Sequence, residues 1–391
     1  MKTNFLIFTI LTLITFTQTS CRKTLNLTTD QQTLLSLKTT ISSSHPNSIL
    51  TTSWSTNISI CSWRGVSCGA KHRRVTALIL SSFGLRGSLP PYLGNLTFLR
   101  SLDVSSNHFT GPIPSHLSKL RRLKTINLGF NNFTGQVPSW LGAFSDLQYV
   151  RMSNNSFSGD IPSSLFNGSS LIEINMRYNM LSGKLPSDIC SNSRKLEALF
   201  LTGNQLSGEI PANIYMCREL QDLRLPINSF SGRIPVEIGN LSMLRVLSLG
   251  MNHFEGGIPA EIGMLSQLET LSIPSAFLTG NIPNSFFNFS SMKSMDLSDN
   301  SLSGTISKVT FHILPKIQEM YLLYNHLTGV VPKEFGNSTS LTTLDLAYNR
   351  FTVFYIPELI KSIEGMDFST LTGTSSKILL DFIIEWPASW R

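Results

Sequence analysis

A chain of 391 residues can hold two or three ordinary domains or one elongated repeat array. Its 41% hydrophobic and 14% charged residues suit a folded protein, and 26 glycines with 18 prolines require short elements broken by frequent turns. The net charge of +7 comes from scattered basic residues apart from "KHRR" at 71–74, so nucleic-acid binding is not expected, whereas an acidic peptide, a pectin-like polyanion or a membrane surface stays open.

In chain order, "MKTNFLIFTILTLITFTQTSC" sets Lys2 before an apolar run and then small polar residues. This predicts a signal peptide over residues 1–20, cleaved near 19–21. No later stretch offers the roughly twenty apolar residues of a membrane span, since Asp381, Glu385 and Pro387 break the tail "KILLDFIIEWPASWR". The expected destination is secreted, extracellular or cell-surface. In "TTDQQTLLSLKTTI" (28–41), Thr29 or Asp30 can cap a helix whose Leu34, Leu37, Lys38 and Ile41 share a face. With "SILTTSWSTNISICSWRGVSC" behind it, this segment forms a lid in which Trp54 and Trp63 are core. Cys61 and Cys68, seven apart, are expected to pair in an oxidising compartment. A zinc site is the rival reading, but no second pair at metal spacing accompanies them. Cys190 and Cys217 either bridge neighbouring turns or stay as buried thiols, and Cys21 lies at the cleavage site.

From Val75 the sequence repeats. "LRSLDVSSNHFTGPIP", "LKTINLGFNNFTGQVP", "LQYVRMSNNSFSGDIP" and later copies align on one position, at 83, 107, 131, 155, 179, 204, 228, 252, 276, 300, 325 and 349. The step is 24 residues, or 25 before Asn204 and Asn325. "LxxLxL" turns its leucines inward on a short strand, glycine four residues after the asparagine permits a tight bend, and "IP" sets an extended entry to the next segment. One such unit cannot bury its apolar side alone, so turns stack, with strands about 4.8 Å apart. The asparagine at each inward corner is expected to be a structural rung, its amide serving backbone groups of its own and the adjacent turn.

These motifs, with the leader "TDQQTLLSLK…SWSTNISICSWRGVSC", resemble plant leucine-rich-repeat receptor-like kinases, nearest the immune-receptor subgroup, over residues 28 to about 352. The resemblance implies an α/β repeat solenoid: a plant-type horseshoe or superhelix with a parallel β-sheet on its concave face and a helical N-terminal cap. The domains read as signal peptide 1–20, cap 24–74, about twelve repeats over 75–352 and a non-repeat tail 353–391. The implied function is extracellular recognition of a peptide or microbial pattern in defence or signalling. Implied partners are a peptide or protein ligand and a co-receptor kinase of the same family, with full-length relatives in the plasma membrane. A glycine-rich phosphate loop with its "VAIK" lysine, an "HRD" and a "DFG" are missing, so kinase activity does not carry over and a truncated receptor form is expected. The alternative is a secreted inhibitor of cell-wall-degrading enzymes, polygalacturonase-inhibitor-like, although such proteins carry cysteine-rich caps at both ends. No nucleophile elbow, metal-ligand pair or phosphate loop suggests an enzyme, and no cofactor is expected.

Outward strand positions line up in columns on the concave face. One column reads Asp103, Asn127, Arg151, Asn175, Phe200, Arg224 and Ser248, and flanking columns add Phe130, Tyr149, Arg177 and Tyr178. Three arginines among four aromatics are the composition of interface hot spots, so Phe130, Tyr149, Arg151, Arg177, Tyr178, Phe200 and Arg224 are the candidate ligand-binding residues. Glycosylation sequons at Asn57, Asn95, Asn132, Asn154, Asn167, Asn240, Asn288 and Asn337, besides Asn26, give a second constraint. Asn95, Asn167, Asn240, Asn288 and Asn337 each fall twelve residues after an aligned position, half a turn from the strands. N-linked glycans there would leave the concave sheet bare.

Overall fold

The computed structural model describes residues 27–43, 50, 53–306, 314–331, 335 and 340–352. The expected signal peptide, Cys21, the tail and the sequons at Asn26 and Asn337 lie outside them. Twelve "LxxLxL" strands, from Val75–Ile79 and Ser101–Asp103 to Thr343–Asp345, pair in parallel and in register, Leu102 opposite Ile126 and Ile174 opposite Leu199. Val66–Cys68 adds an antiparallel thirteenth strand at the cap end. Central strand residues such as Leu102, Ile126 and Val150 are fully buried while their neighbours face out, as strand alternation dictates.

The motif glycine and the "IP" dipeptide behave as their chemistry requires. Gly111 takes φ +77°, a left-handed backbone that a side chain would strain. Pro114, extended at φ −62° and ψ 134°, leads into the 3₁₀ helix Ser115–Lys119, and equivalent prolines open its counterparts on the opposite side of each turn. Phe109, Phe133 and Phe157 stack between successive turns at 6.0 and 6.1 Å.

The rung is structural. Asn107 Nδ2 donates to the carbonyls of Val104 and Ser105 in its own turn and of Leu80 in the preceding one, at 2.8–3.0 Å. Its Oδ1 accepts from the Phe83 and Leu85 N–H groups. Asn131, Asn155, Asn179, Asn204, Asn228, Asn252, Asn300, Asn325 and Asn349 repeat the three donations. Each accepts from the preceding turn, Asn300 from two N–H groups and the others from one. Two of the twelve aligned positions depart from the expected rung. Phe83 has no amide, and Ala276, fully buried, leaves one gap inside the array.

A second row of short strands follows the rung, His108–Gly111, Asn132–Gln136 and Ser156–Asp160 among them, beyond what the repeat pattern predicts. It divides into sheets of six, three and four strands. One division falls between Met180–Ser182 and Ser207–Gly208, where the repeat lengthens to 25 residues and the Cys190–Cys217 disulfide ties the turns together. The other falls between His253–Phe254 and Thr279–Asn281, at the Ala276 gap. One division thus coincides with a lengthened, disulfide-tied repeat and the other with a lost rung. The second 25-residue step, before Asn325, leaves Ser301–Thr305 paired with His326–Val330, and the concave sheet continues past both divisions.

At the cap, helix α1 spans Leu27–Thr40 and buries Leu34 and Leu37. Lys38 Nζ donates to the Trp54 carbonyl at 2.7 Å. Trp54 and Trp63 stack at 5.3 Å in the core, each indole N–H bonded to a backbone carbonyl. Cys61 and Cys68 are bonded. The helix start differs from expectation. Asp30 lies within the first turn, fully buried, and accepts two hydrogen bonds from the Arg74 guanidinium at 2.7 and 2.8 Å and one from Val75 N–H at 3.0 Å. The last residue of "KHRR" thus clamps the cap to the first repeat, a geometry in which the pair compensates its own desolvation.

Candidate ligand-binding face

The concave sheet presents its third strand positions as a row. Arg151 lies opposite Asn175, Asn175 opposite Phe200, and Phe200 opposite Arg224, each pair on adjacent parallel strands. Parallel register thus places residues 24 or 25 apart in sequence within one strand spacing. Phe200 is the centre. The Arg177 guanidinium sits 5.3 Å from its ring centroid and that of Arg224 5.7 Å, both within cation–π range. Tyr149 joins from the first strand position, 5.0 Å below the Arg151 guanidinium.

The structure gathers Tyr149 with Arg151, and Arg177 and Arg224 with Phe200, as two contact groups on neighbouring strands, and adds two acids that residue type alone does not single out. Glu173 receives Arg151 through both carboxylate oxygens, and Asp222 receives Arg224 at 2.8 and 3.0 Å. Hydrogen bonding to these carboxylates, ahead of burial, raises both guanidinium pKa values and keeps both groups charged and paired. Arg177 has no carboxylate partner among the described residues. Its Nε donates to Asn175 Oδ1 at 3.3 Å. Of the three arginines expected to carry the site, two are internally neutralised and one offers an unbalanced positive charge against an aromatic face.

Phe130 and Tyr178 stand apart from these groups, on the rim just before the rung. Both adopt left-handed backbone, φ +56° and +54°, and both are at least half exposed. Ile227, two turns beyond Tyr178 on the same rim, does so at φ +58°, an outlier for a β-branched residue. Backbone bonds to the next turn hold the conformation, as where Phe130 N–H donates to Ser153 and Tyr178 N–H to Thr202. The Tyr178 ring lies over Gly203, whose missing Cβ leaves room for it.

The sequon pattern also has a location. Asn95, Asn167, Asn240 and Asn288 each end a 3₁₀ helix on the side of the turn away from the concave strands. Asn57 and Asn132 are exposed, and Asn154 is half-buried on the rim between Phe130 and Tyr178. Among the described residues no three His, Cys, Asp or Glu side chains gather as a metal site, and no helix is long and apolar enough to cross a membrane.

Comparison with known proteins fits this architecture. A leucine rich repeat N-terminal domain matches residues 27–69, and leucine rich repeat models match 98–120, 122–144, 146–167, 170–192, 195–217, 266–327 and 337–353. A receptor-like protein kinase of Arabidopsis thaliana is 44% identical over 91 residues, 23% of this chain and 9% of the relative. The LRR receptor-like serine/threonine-protein kinase EFR of the same plant is 37% identical over 110 residues, 28% of this chain and 11% of the relative. The matches therefore span about a tenth of these curated relatives. Among solved structures, the plant peptide hormone receptor RGFR1 in complex with RGF2 superposes with a TM-score of 0.70 at 29% identity, covering 73% of this chain and 46% of that one. The LRR ectodomain of GASSHO1/SCHENGEN3 from Arabidopsis thaliana, in complex with CASPARIAN STRIP INTEGRITY FACTOR 2, gives 0.70 at 29% identity, with coverages of 86% and 46%. By its cap, its asparagine rungs and these matches, the chain belongs to the leucine-rich-repeat family and is built as plant leucine-rich-repeat receptor ectodomains are.

Proposed function

We propose that this chain acts outside the cell as the ligand-perceiving region of a plant receptor, or part of one, and binds a peptide or microbial pattern on its concave face. Phe200 between Arg177 and Arg224 supports this reading. A half-buried aromatic flanked by guanidinium groups is a ready anchor for a ligand side chain, and the uncompensated Arg177 charge suits a ligand carboxylate or other anion. The solved neighbours crystallised with RGF2 and with CASPARIAN STRIP INTEGRITY FACTOR 2 make a peptide the favoured ligand class. N-linked glycans on the far side of the turns would keep this face open, and a co-receptor kinase of the same family is the expected signalling partner.

Replacing Arg151 or Arg224 would also release Glu173 or Asp222, so Phe200 and Arg177 are the sharper positions to change. Peptides selected from a synthetic random library on the secreted chain should bind it and lose about tenfold or more on Phe200→Ala or Arg177→Ala, the effect of an interface anchor. Unfolding of both variants should match wild type. Equal binding to both variants would place the ligand elsewhere.

A further inference from the structure

Basic residues are unevenly placed along this fold. Residues 41–172 contain eleven Lys and Arg against three Asp and Glu, an excess of +8 beside +7 for the whole chain. Part of that excess forms one patch on the flank where the first turns enter their concave strands. Phe98 is its centre, with the Arg122 guanidinium 4.2 Å and that of Arg74 4.6 Å from its ring centroid and His72 meeting its edge at 5.7 Å. Beside it, Arg100 N–H donates to the Thr76 carbonyl at 2.7 Å and Lys124 N–H to the Arg100 carbonyl at 2.8 Å. Arg100 and Lys124 therefore hold equivalent places on adjacent turns, and Lys71, Arg73 and Arg121 are exposed close by in sequence.

Arg74 is neutralised by Asp30, but among the described residues no carboxylate lies within ion-pair distance of Arg100, Arg121, Arg122 or Lys124. Later turns treat this column differently. Arg245 and Lys293, on the same flank, are both paired with Glu269, whose carboxyl is held below its ordinary range by Lys293 and then Arg245. Like charges in register on neighbouring strands destabilise a sheet, so the unpaired set in the first turns works against folding.

We propose that this flank binds a linear anionic polysaccharide of the uronate type, its carboxylates meeting Arg100, Arg121, Arg122 and Lys124 across successive turns. Arg100 and Lys124 stand one strand spacing apart, about 4.8 Å, with Arg121 and Arg122 on the same turn as Lys124, which suits a polymer carrying one carboxylate on every sugar. A single-stranded nucleic acid needs open aromatic faces for its bases, and here the Phe98 ring is occupied by guanidinium groups. A membrane surface needs apolar groups to insert, and the exposed Phe130 and Tyr178 lie past the opposite end of the concave strands. The proposal is independent of the concave-face reading.

The test is fluorescence anisotropy of a labelled, fully de-esterified oligogalacturonate with the intact secreted chain. Binding should saturate and weaken as salt screens it. The variant R100E/R121E/K124E, which spares Arg122 on its ring, should bind about tenfold or more weaker, since it reverses three contacts. It should melt like wild type, and Arg177→Ala should bind the oligomer normally. Wild-type affinity in the triple variant overturns the proposal. So does equal binding of a fully methyl-esterified oligomer, of phosphatidylserine vesicles or of a single-stranded RNA, which would assign the patch to general or different electrostatics.

Discussion

The rung and the outward strand position lie four residues apart in every turn, as Asn107 and Asp103 do, yet they follow opposite rules. The rung must satisfy carbonyls of two turns and a buried N–H at once, and only a carboxamide carries donors and an acceptor at that reach. Ten asparagines therefore share one geometry. The outward position meets solvent, so the fold accepts aspartate, asparagine, arginine, phenylalanine or serine there. Constraint and freedom alternate along each turn, and recognition chemistry has room in the free column and the outward columns that flank it.

Breaking a rung should have the largest effect. Asn131→Ala strands the Phe109 N–H in the core and removes one of two donors from the carbonyls of Val104 and Leu128, which keep Asn107 and Asn155. One buried N–H left unsatisfied and two lost hydrogen bonds should cost about 2–3 kcal/mol in urea unfolding. Since each turn leans on its neighbours, amide exchange should quicken at Phe109 and Phe133 together. Arg177→Ala, in an outward column flanking the free one, should leave the unfolding midpoint within about 0.5 kcal/mol of wild type. Equal destabilisation by the two changes would erase the distinction.

The converse experiment restores a rung. Ala276→Asn places an amide where register puts the carbonyls of Leu249, Ile273 and Pro274, next to the division of the second sheet. A gain of about 1 kcal/mol, the net value of a hydrogen bond, is expected, with slower exchange across His253–Phe254. A loss of stability would mean that the array has adapted around alanine.

What could be read from the sequence follows the same division. Strand, rung, bend glycine and the Cys61–Cys68 pair were legible because each repeats or lies within a few residues of its partner. Asp30 was misread as a cap residue because its partner Arg74 is 44 residues away and no period links them. The second sheet escaped notice because His108–Gly111 buries one side chain, Phe109, and one apolar residue shows no alternation. In the candidate site the arginines and aromatics stood out by type, but neutralisation of Arg151 by Glu173 crosses between turns and appears only once register is known. The Asp222–Arg224 pair was within reach, two residues apart on one strand face.

Asp345 sharpens the comparison, because it occupies the outward column yet is only 7% exposed. Burial raises its pKa above the ordinary 3.8, opposed in part by the Ala347 N–H that donates to it at 3.0 Å. With the folded value above the unfolded one, the native state holds the proton more tightly, so Asp345 favours folding below the unfolded pKa. That contribution disappears as pH rises through the folded value, leaving a buried carboxylate without a cation among the described residues. Asp345→Asn keeps an oxygen for Ala347 N–H and removes the charge. Its stability relative to wild type should increase as pH rises from 3 to 7, as read by urea midpoints across that range. A difference that stays flat, or one that grows towards acid, would show that this position behaves as free surface like the rest of its column.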